Sequence, residues 1–454
     1  MKKIAVMAVL ALVVASPALA GDTLWTRTYA GAGATVDRGS AVATIGDEIY
    51  VAGQERVGSF NLLVIHYRAD GEVAWARTFD IDTEETVNDI VAQPDSSLYI
   101  CVKIEAPTPS SRLVKLSKTG DTVWTRKSAR LNATNIAVDD SGNVFVYGSL
   151  LGAVMNDSFC LIKYKADGTQ DWRHTYRFGD QNSAAGLCAD HDGSVVGVGV
   201  VNDQEGPHAM AVRFTPAGDT AWTHYYPELT GATLGGVAVD LTGFIVFTAS
   251  IGSGITVARC STSGPIDWRV EVPLRSLPMV YNTVVCDADT NIVVGGQDSS
   301  NCVGFAKLTW GGGAVCMGSS DVVAMPYGLA VDASKRPIVV GQRNLPPPPC
   351  CFTVKFTGVP GVAESVAPTP AGAAVRVGAR LVRPGTALSV EVSVPGRYSL
   401  ALFDARGALV RRLHDGQLAA GVHRFNPGRL AAGSYCLMIA GKTGASEVKI
   451  IQVR

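Results

Sequence analysis

Apolar and polar residues alternate along most of this chain in short runs of period two, a pattern typical of half-buried β-strands. Residues 40–54, SAVATIGDEIYVAGQ, contain two such runs separated by a turn at Gly46 and Asp47. The next run, NLLVIHYRADG, ends in Asp-Gly, and the run after it contains Trp75. Because Asp-Gly favours tight hairpins, these runs predict four short antiparallel strands within residues 40–79.

This four-strand unit is repeated along the chain. Tryptophans lie at 25, 75, 124, 172, 222 and 268, so successive copies are 46–50 residues apart. The seventh, Trp310, is out of register, and Val315 or Cys316 occupies its position in that copy. A repeat of four short strands predicts a β-propeller blade, and period-two alternation excludes a helical solenoid.

The first and last segments of the repeat region are complementary. Seven copies of the first three strands lie within residues 21–358, and DTLWTRTYAG at 22–31 is a separate fourth strand. The last copy ends with its third strand, CFTVKF. We therefore predict an all-β, seven-bladed propeller of four-stranded blades in which the N-terminal strand completes the last blade, since closure removes open sheet edges.

The most frequently repeated phrase is exemplified by RADGEVAWART at 68–78. Residues two apart in a strand share a face, so Trp75 lies beside Arg77, as Trp25 does beside Arg27. We interpret these pairs as contacts that hold neighbouring blades together. A ligand-binding stripe is the alternative, but residues on the outer edges of different blades do not converge on one point. The structural repeat residues are Trp25, Trp75, Trp124, Trp172, Trp222 and Trp268.

Charge divides the chain into two parts. The whole sequence has a net charge of -1, but residues 372–454 contain 12 basic and 4 acidic residues, a net charge of +8. Without that tail and Lys2 and Lys3, 25 basic and 36 acidic residues remain, a net charge of -11. We predict a Pro-rich linker over 359–371, and the acidic body argues against nucleic acid as a partner.

The first 20 residues predict a signal peptide. Lys2 and Lys3 precede an apolar run that ends in Ala-Leu-Ala, a typical cleavage site. A membrane anchor is the alternative, but the run is too short to span a bilayer comfortably. We expect cleavage after Ala20, export to the extracellular space or outer-membrane surface, and no transmembrane segment in the mature chain.

Ten cysteines follow the signal peptide and do not share one repeat position. Cys101, Cys160, Cys188 and Cys260 lie in apolar runs, which favours buried free thiols. Cys350 and Cys351 are adjacent, and we expect one of them to form a disulfide elsewhere, for example Cys350 with Cys302 or Cys316. The sequence leaves that connectivity open.

Residues 21–358 resemble the secreted bacterial seven-bladed β-propeller repeat proteins, also called SBBP-type. The D-G-x-x-x-W phrase and the preceding V-x-x-x-x-G strands carry the resemblance. It implies an exported propeller, in a family with many members of no assigned activity. The repeat is also similar to that of quinoprotein dehydrogenases, but the cofactor and calcium constellation of those enzymes has no counterpart in this sequence.

Residues 372–454 resemble the C-terminal sorting domain of the type IX (Por) secretion system. The matching pieces are LFDARGALVRRL, AGVHRFN, LAAGSY and the terminal KIIQVR. The resemblance implies a small Ig-like β-sandwich, export machinery as partner, and a sorting motif at Gly433, Tyr435, Lys449 and Arg454. A purely structural module stays open, because the hook-capping Ig-like family has the same strand pattern and Pro368-Thr369-Pro370 replaces the usual Pro-Asn-Pro.

Recognised catalytic motifs such as HExxH, GxSxG and the P-loop are absent from the sequence. The Asp-rich turns lack calcium-loop spacing, so we expect neither a metal nor a cofactor. The connections from strand four to strand one and from strand two to strand three lie on one face, where we predict binding. The candidate residues there are Asp37, Arg38, Glu85, Asp180, Glu228 and Arg275.

We predict a non-catalytic scaffold that binds a protein or a glycan through this face. The alternative is a carbohydrate-active or quinone-dependent enzyme that uses the same face. A glycosidase would require two carboxylates at a fixed separation, and the loops contain several without singling out a pair.

Overall fold

A computed structural model describes most of the repeat region and the strands of the tail. The described residues are 23–105, 109–151, 158–240, 243–252, 254–275, 284–344, 348–357, 375–377, 381–382, 388–392, 395–404, 409–426, 433–441 and 446–453. The predicted signal peptide, linker and Arg454 lie outside them. Two compact units are present: Met1–Asp240 with Phe244–Gly361, and Leu241–Gly243 with Val362–Arg454.

The first unit is built from β-strands, which confirms the all-β prediction, with one short 3-10 helix at Pro227–Leu229 among the described residues. Its strands in chain order are β1 (Thr23–Tyr29), β2 (Val36–Ile45), β3 (Glu48–Val57), β4 (Ser59–Tyr67), β5 (Val73–Phe79), β6 (Glu85–Ala92), β7 (Leu98–Ile104), β8 (Ser110–Leu116), β9 (Thr122–Ala129), β10 (Leu131–Val138), β11 (Val144–Leu150), β12 (Ser158–Tyr164), β13 (Gln170–Tyr176), β14 (Gln181–Ala189), β15 (Val195–Asp203), β16 (Gly206–Phe214), β17 (Thr220–Tyr226), β18 (Thr233–Val239), β19 (Ile245–Ile251), β20 (Gly254–Cys260), β21 (Ile266–Arg275), β22 (Val284–Cys286), β23 (Ile292–Gln297), β24 (Cys302–Leu308), β25 (Ala314–Val323), β26 (Met325–Val331), β27 (Pro337–Arg343) and β28 (Cys350–Phe356).

Consecutive strands form four-stranded antiparallel sheets. The strands β2–β5, β6–β9, β10–β13 and β14–β17 each make one sheet. The next two sets, β18–β21 and β22–β25, are joined into one eight-stranded sheet through the pairing of Arg275 with Gln297. The turn chemistry explains the hairpins, since Gly71 and its counterparts Gly120 and Gly168 have positive φ angles of 85°, 80° and 82°.

The N-terminal strand completes the last sheet. Strand β1 pairs with β28 and not with β2, in the sheet order β1-β28-β27-β26. Trp25 lies opposite Lys355 and Tyr29 lies opposite Cys351 in an antiparallel register. Two strands that are more than 300 residues apart in the sequence are thereby held in one sheet.

The innermost strands contact one another in a closed series. Strand β2 contacts β6, and the contacts continue through β10, β14, β18, β22 and β26 and return to β2. Apolar clusters fill the spaces between neighbouring sheets; for example, Tyr50 and Val64 pack with Ile90 and Ile100. Each fully buried aliphatic side chain contributes roughly 1.5–3 kcal/mol relative to an exposed one, so these clusters hold the sheets together.

The repeated tryptophans lie against glycine turns of the next sheet. A Cβ added at Gly71 would lie 2.8 Å from the Trp25 ring, and one at Gly120 would lie 3.1 Å from the Trp75 ring. Arg27 Nε donates to the Gly71 carbonyl at 2.9 Å. The repeated phrase therefore supplies both halves of one contact, a ring on one sheet and a bare turn on the next.

Trp310, the tryptophan outside the repeat register, has its own role. Its ring centre lies 3.5 Å from the Arg259 guanidinium carbon, and the Phe244 ring centre lies 3.6 Å from the same carbon. Trp310 Nε1 donates to Asp240 Oδ2 at 2.5 Å. Burial lowers the pKa of Arg259 to about 10, and this cation is stabilised by the rings and by Asp267 at 2.9 Å.

A basic position on the third strand forms ion pairs in several repeats, and the sequence did not predict them. His66 occupies this position in the first repeat; its Nε2 lies 2.7 Å from Glu48 and its side chain is mostly buried. Lys355 pairs with Asp332 at 2.8 Å, and both side chains are inaccessible. For Arg213, Lys307 and Lys355 the partner is an aspartate in the turn between strands one and two, whereas Arg259 pairs with Asp267 on the fourth strand.

The nine cysteines of the first unit, from Cys101 to Cys351, are all unpaired. The expected disulfide of Cys350 with Cys302 or Cys316 is therefore not present among them. Cys351 and Cys316 are buried in apolar clusters, and burial raises the pKa of both thiols. Cys101, Cys160 and Cys260 are buried and Cys188 is partly buried, as the apolar runs predicted.

The described residues of the second unit include eight strands: β29 (Val375–Val377), β30 (Leu381–Val382), β31 (Leu388–Val392), β32 (Gly396–Asp404), β33 (Leu409–Leu418), β34 (Gly421–Phe425), β35 (Gly433–Gly441) and β36 (Ser446–Val453). They form a three-stranded sheet, β29-β31-β34, and a five-stranded sheet, β30-β36-β35-β32-β33. Gly433 and Tyr435 lie on β35 opposite Val453 and Ile451, and Lys449 lies on β36 opposite Leu437.

Candidate functional site

Strand direction places the candidate residues on one face of the first unit. Because consecutive strands are antiparallel, connections from strand two to three and from strand four to the next strand one share a face, which we call the loop face. The opposite, tight-turn face carries the other turns. Strand β1 begins and β28 ends at the tight-turn face, so the described first unit is entered and left on that side.

Asp37 lies at the loop-face end of β2 and is only 1% exposed. Its Oδ2 accepts the Gly31 amide at 2.7 Å, and its backbone amide donates to the Pro349 carbonyl at 3.0 Å. Its Oδ1 has no hydrogen-bond partner among the described residues. Burial raises the pKa of the Asp37 carboxyl; the Gly31 amide opposes the increase and the Glu55 charge adds to it.

Glu55 faces Asp37 directly across the β2–β3 pair. It is 7% exposed, and Thr78 Oγ1 donates to its Oε2 at 2.5 Å. A Cβ at Gly31 would overlap Glu55 Oε1, so glycine is required where the connector passes this carboxylate. Glu55 is not among the candidate residues predicted from the sequence, although the register of the β2–β3 hairpin places it opposite Asp37.

Glu85 is fully buried at the start of β6. Its Oε1 accepts amides of Ile81 at 2.5 Å and Asp82 at 2.7 Å, and its Oε2 accepts the Leu62 amide at 2.7 Å. Burial raises the pKa of the Glu85 carboxyl even though these three hydrogen bonds oppose the increase. The carboxylate thus holds a connector in place and links two sheets.

The same strand-entry position recurs in β14 as Asn182. Its Oδ1 accepts the Phe178 amide at 3.1 Å and its Nδ2 donates to the Gly179 carbonyl at 3.1 Å. In three sheets, therefore, a polar side chain at this position folds back onto the preceding connector. Asp37 and Glu85 belong to this structural set, which removes their carboxylates from the solvent-facing surface.

Arg38 is partly exposed and lies one residue beyond that position. Its guanidinium donates to Gln54 Oε1, and Gln54 Nε2 donates in turn to the Glu85 carbonyl. The cation also lies 5.5 Å from the centre of the Tyr327 ring on β26. Arg38 is thus fixed from two sides while part of it faces solvent.

The other three candidates are exposed but are not brought together. Asp180 lies 3.7 Å from Arg177 in the connector before β14. Glu228 lies in the 3-10 helix, where its carbonyl accepts Arg269 Nη1 at 3.0 Å. Arg275 ends β21. Burial alone would raise the pKa of Asp298, but hydrogen bonds from Ser319, Cys302 and Ser300 and the charge of Arg275 together lower it.

Exposed apolar side chains share the loop face with these charges. The large ones at loop-face strand ends are Val57, Tyr225, Ile251, Val323 and Met325. Met325 lies 3.4 Å from the Tyr327 hydroxyl. The alternation of apolar and polar residues did not identify them. Each lies at the end of a strand, where an apolar side chain can be exposed on either face of the sheet.

The described residues contain no group of three His, Cys, Asp or Glu side chains arranged to hold a metal ion. Nor does any helix within them have the length and hydropathy required to cross a membrane.

No protein-family model and no curated protein sequence matches the chain. A solved streptogramin B lyase is similar in structure, with a TM-score of 0.50 and 13% identity over 73% of this chain and 97% of that one. The Dos1 propeller gives a TM-score of 0.47 with 8% identity over 74% of this chain and 95% of that one. The first likeness, together with the four-stranded sheets, shows that the chain contains a β-propeller, and at this identity it shows the fold alone.

Proposed function

We propose that this protein is an exported β-propeller scaffold that binds a protein or a glycan through its loop face without catalysing a reaction. One observation carries the proposal. The two carboxylates at strand entries, Asp37 and Glu85, bind backbone amides of their own connectors, whereas apolar side chains such as Val323 and Met325 remain exposed at the same ends. Exposed apolar side chains beside polar ones are typical of interaction surfaces.

The scaffold has seven blades in this proposal. The closed series of contacts from β2 to β26 and back supports that number. The eight-stranded sheet is divided into a fifth blade, β18–β21, and a sixth blade, β22–β25. The pairing of β1 with β28 supplies the fourth strand of the seventh blade.

The loop face carries the candidate residues on which the binding part of the proposal depends. Within that face we assign ligand contacts to the exposed Asp180, Glu228 and Arg275 and to the partly exposed Arg38, and we assign Asp37 and Glu85 to support of the loops.

Export is the second part of the proposal. The signal-peptide pattern of residues 1–20 supports entry into the secretory route, and the tail supports recognition by type IX machinery as an Ig-like sorting domain. The two small sheets of the second unit are compatible with a sandwich. Deleting residues 372–454 should leave the propeller inside the cell envelope; normal export of the truncated protein would contradict the sorting role.

Glycan and peptide arrays test the binding role. The mature full chain should bind a restricted set of ligands, and a variant carrying D180A, E228A and R275A should lose at least part of that binding. A matched variant on the tight-turn face, K118A with D167A and D219A, should bind as the natural sequence does. Absence of any ligand, or equal loss in both variants, would contradict the proposal.

A further inference from the structure

Five residues lie at strand ends of the loop face, where the last sheet meets the first. We call this set, Arg38, Val323, Met325, Tyr327 and Arg343, the seam patch. They lie at the loop-face ends of β2, β25, β26 and β27. Tyr327 contacts both Arg38 and Met325, whereas Arg343 follows Gln342, the residue paired with Met325, and therefore lies on the other side of that sheet at the same end.

The apolar part of the patch is exposed and held in position. Val323 is 58% exposed and Met325 is 39% exposed. Ala324 between them is buried, and its carbonyl accepts Gln297 Nε2 at 2.6 Å. This hydrogen bond fixes the backbone between the two side chains, so both stay on the outside.

The basic part of the patch lacks acidic partners. Arg38 is bound to the neutral side chain of Gln54 and lies 5.5 Å from the Tyr327 ring. Within the described ranges, no carboxylate forms an ion pair with Arg38 or Arg343, whereas Arg27, Arg77 and Arg112 each have one. An arginine presented with free donor positions is suited to bidentate binding of a carboxylate.

An exposed acidic side chain, Asp321, lies near the patch. Asp321 is exposed on the same face of β25 as Val323, two residues earlier in the strand. It forms no ion pair with the described arginines. Its negative charge reduces the attraction that an acidic ligand would experience, and this makes it a useful position for a test.

We propose that the seam patch binds an acidic peptide segment of a partner protein, with carboxylates on Arg38 and Arg343 and an apolar side chain on Val323 and Met325. This inference rests on the proposed binding function and specifies its ligand class. Charge complementarity favours an acidic ligand. Aliphatic Val323 and adaptable Met325 favour a peptide side chain over a sugar ring, which stacks on exposed aromatic faces.

Fluorescence anisotropy with labelled peptides tests the inference on the mature full chain. The probe is a short peptide in which Glu and Asp alternate with Leu and Phe, and its control carries Gln and Asn in place of the acids. The acidic probe should bind, and the amide probe should bind about tenfold more weakly or not at all. Raising the salt concentration should weaken binding of the acidic probe.

Three substitutions and one control assign the binding to the patch. R38Q and M325S should each weaken binding of the acidic probe by about tenfold, while R130Q, which changes another exposed loop-face arginine, should leave it unchanged. D321N should strengthen binding severalfold, a gain that damage to the fold cannot produce. Thermal unfolding of each variant provides a check on folding.

The outcomes separate this inference from the broader function. If R38Q and D321N bind the acidic probe as tightly as the natural sequence does, the seam-patch assignment is overturned. Binding of array glycans through other loop-face residues, without binding of acidic peptides, would also overturn it while leaving the proposed scaffold role intact. Selective binding of uronate-containing glycans at the patch would overturn the peptide assignment. Failure of the arrays and the peptides together would contradict both.

Discussion

Asp37 and Glu55 are direct cross-strand partners in the β2–β3 pair, and both are buried. No described lysine, arginine or histidine forms an ion pair with either carboxylate. Like charges directly opposite each other destabilise a sheet, and the effect is larger when both are removed from water. The pair also borders the connector that joins the ring-closing strand β1 to β2, through the hydrogen bond from Gly31 to Asp37.

D37N should stabilise the protein at neutral pH. The folded protein holds the Asp37 proton more tightly than the unfolded chain, because burial raises the pKa of this carboxyl. The contribution of Asp37 to the free energy of unfolding is therefore greatest below the ordinary Asp pKa of about 4. It falls as the pH rises through the raised pKa of the folded protein. Removing the charge while keeping an acceptor for Gly31 should increase the free energy of unfolding at pH 7.

Urea unfolding of D37N between pH 4 and pH 8 measures this effect. The exposed D180N serves as control and should change little at any pH. A destabilised D37N, or a variant with the same pH dependence as the natural sequence, would show that the pair is compensated in another way.

G71A should destabilise the propeller by about 2–4 kcal/mol, because it adds a Cβ against the Trp25 ring at a residue with positive φ. G33A is the matched control: Gly33 also has positive φ, but its added Cβ would meet no atom within 4 Å. Denaturant unfolding should therefore give about 1–2 kcal/mol for G33A. Equal losses in the two variants would mean that the tryptophan contact contributes nothing.

D332N should cost about 3–5 kcal/mol, since it leaves the inaccessible Lys355 without its carboxylate partner. Lys335 and Asp289 form a comparable pair at the surface, and D289N should cost less than about 1 kcal/mol. Chemical denaturation of both variants checks the difference. A D332N protein as stable as D289N would contradict the account of the third-strand basic position.

Removal of residues 23–29 should open the ring. The deletion exposes the edge of β28 and removes the buried Trp25, which alone is expected to cost about 3–5 kcal/mol. The truncated protein should unfold at lower temperature, and a synthetic peptide with the sequence TLWTRTY should restore part of the loss. An unchanged unfolding temperature would argue that β1 does not close the sheet.

The repeated features of this chain were predictable because they follow from periodic physical constraints. Asp-Gly turns and tryptophan spacing predicted the hairpins, and the unpaired N-terminal strand predicted the partnership with β28. The candidate binding residues were less predictable. Periodicity placed Asp37 and Glu85 at the loop-face starts of their strands. Their burial depends on connectors that differ between repeats. The hydrogen bonds from each connector to its carboxylate could therefore not be predicted from the pattern.

The contacts of Trp310 and of the seam patch show the same limit. Trp310 breaks the repeat, and only the folded neighbours Arg259 and Phe244 reveal its role. Val323 and Met325 occupy ordinary alternating positions, and their exposure follows from the end of β25 and the start of β26. Function is expected in such deviations, because the repeated positions are occupied by the contacts between sheets.

Hydrogen exchange of the mature full chain, with and without the tightest ligand found on the arrays, tests the central claim most directly. We predict slowed exchange in loop-face segments, including residues 36–38 and 323–327, and no change in the tight-turn segments at 69–71 and 118–120. Slowed exchange confined to the tight turns or to the outer tryptophan strands would contradict binding through the loop face.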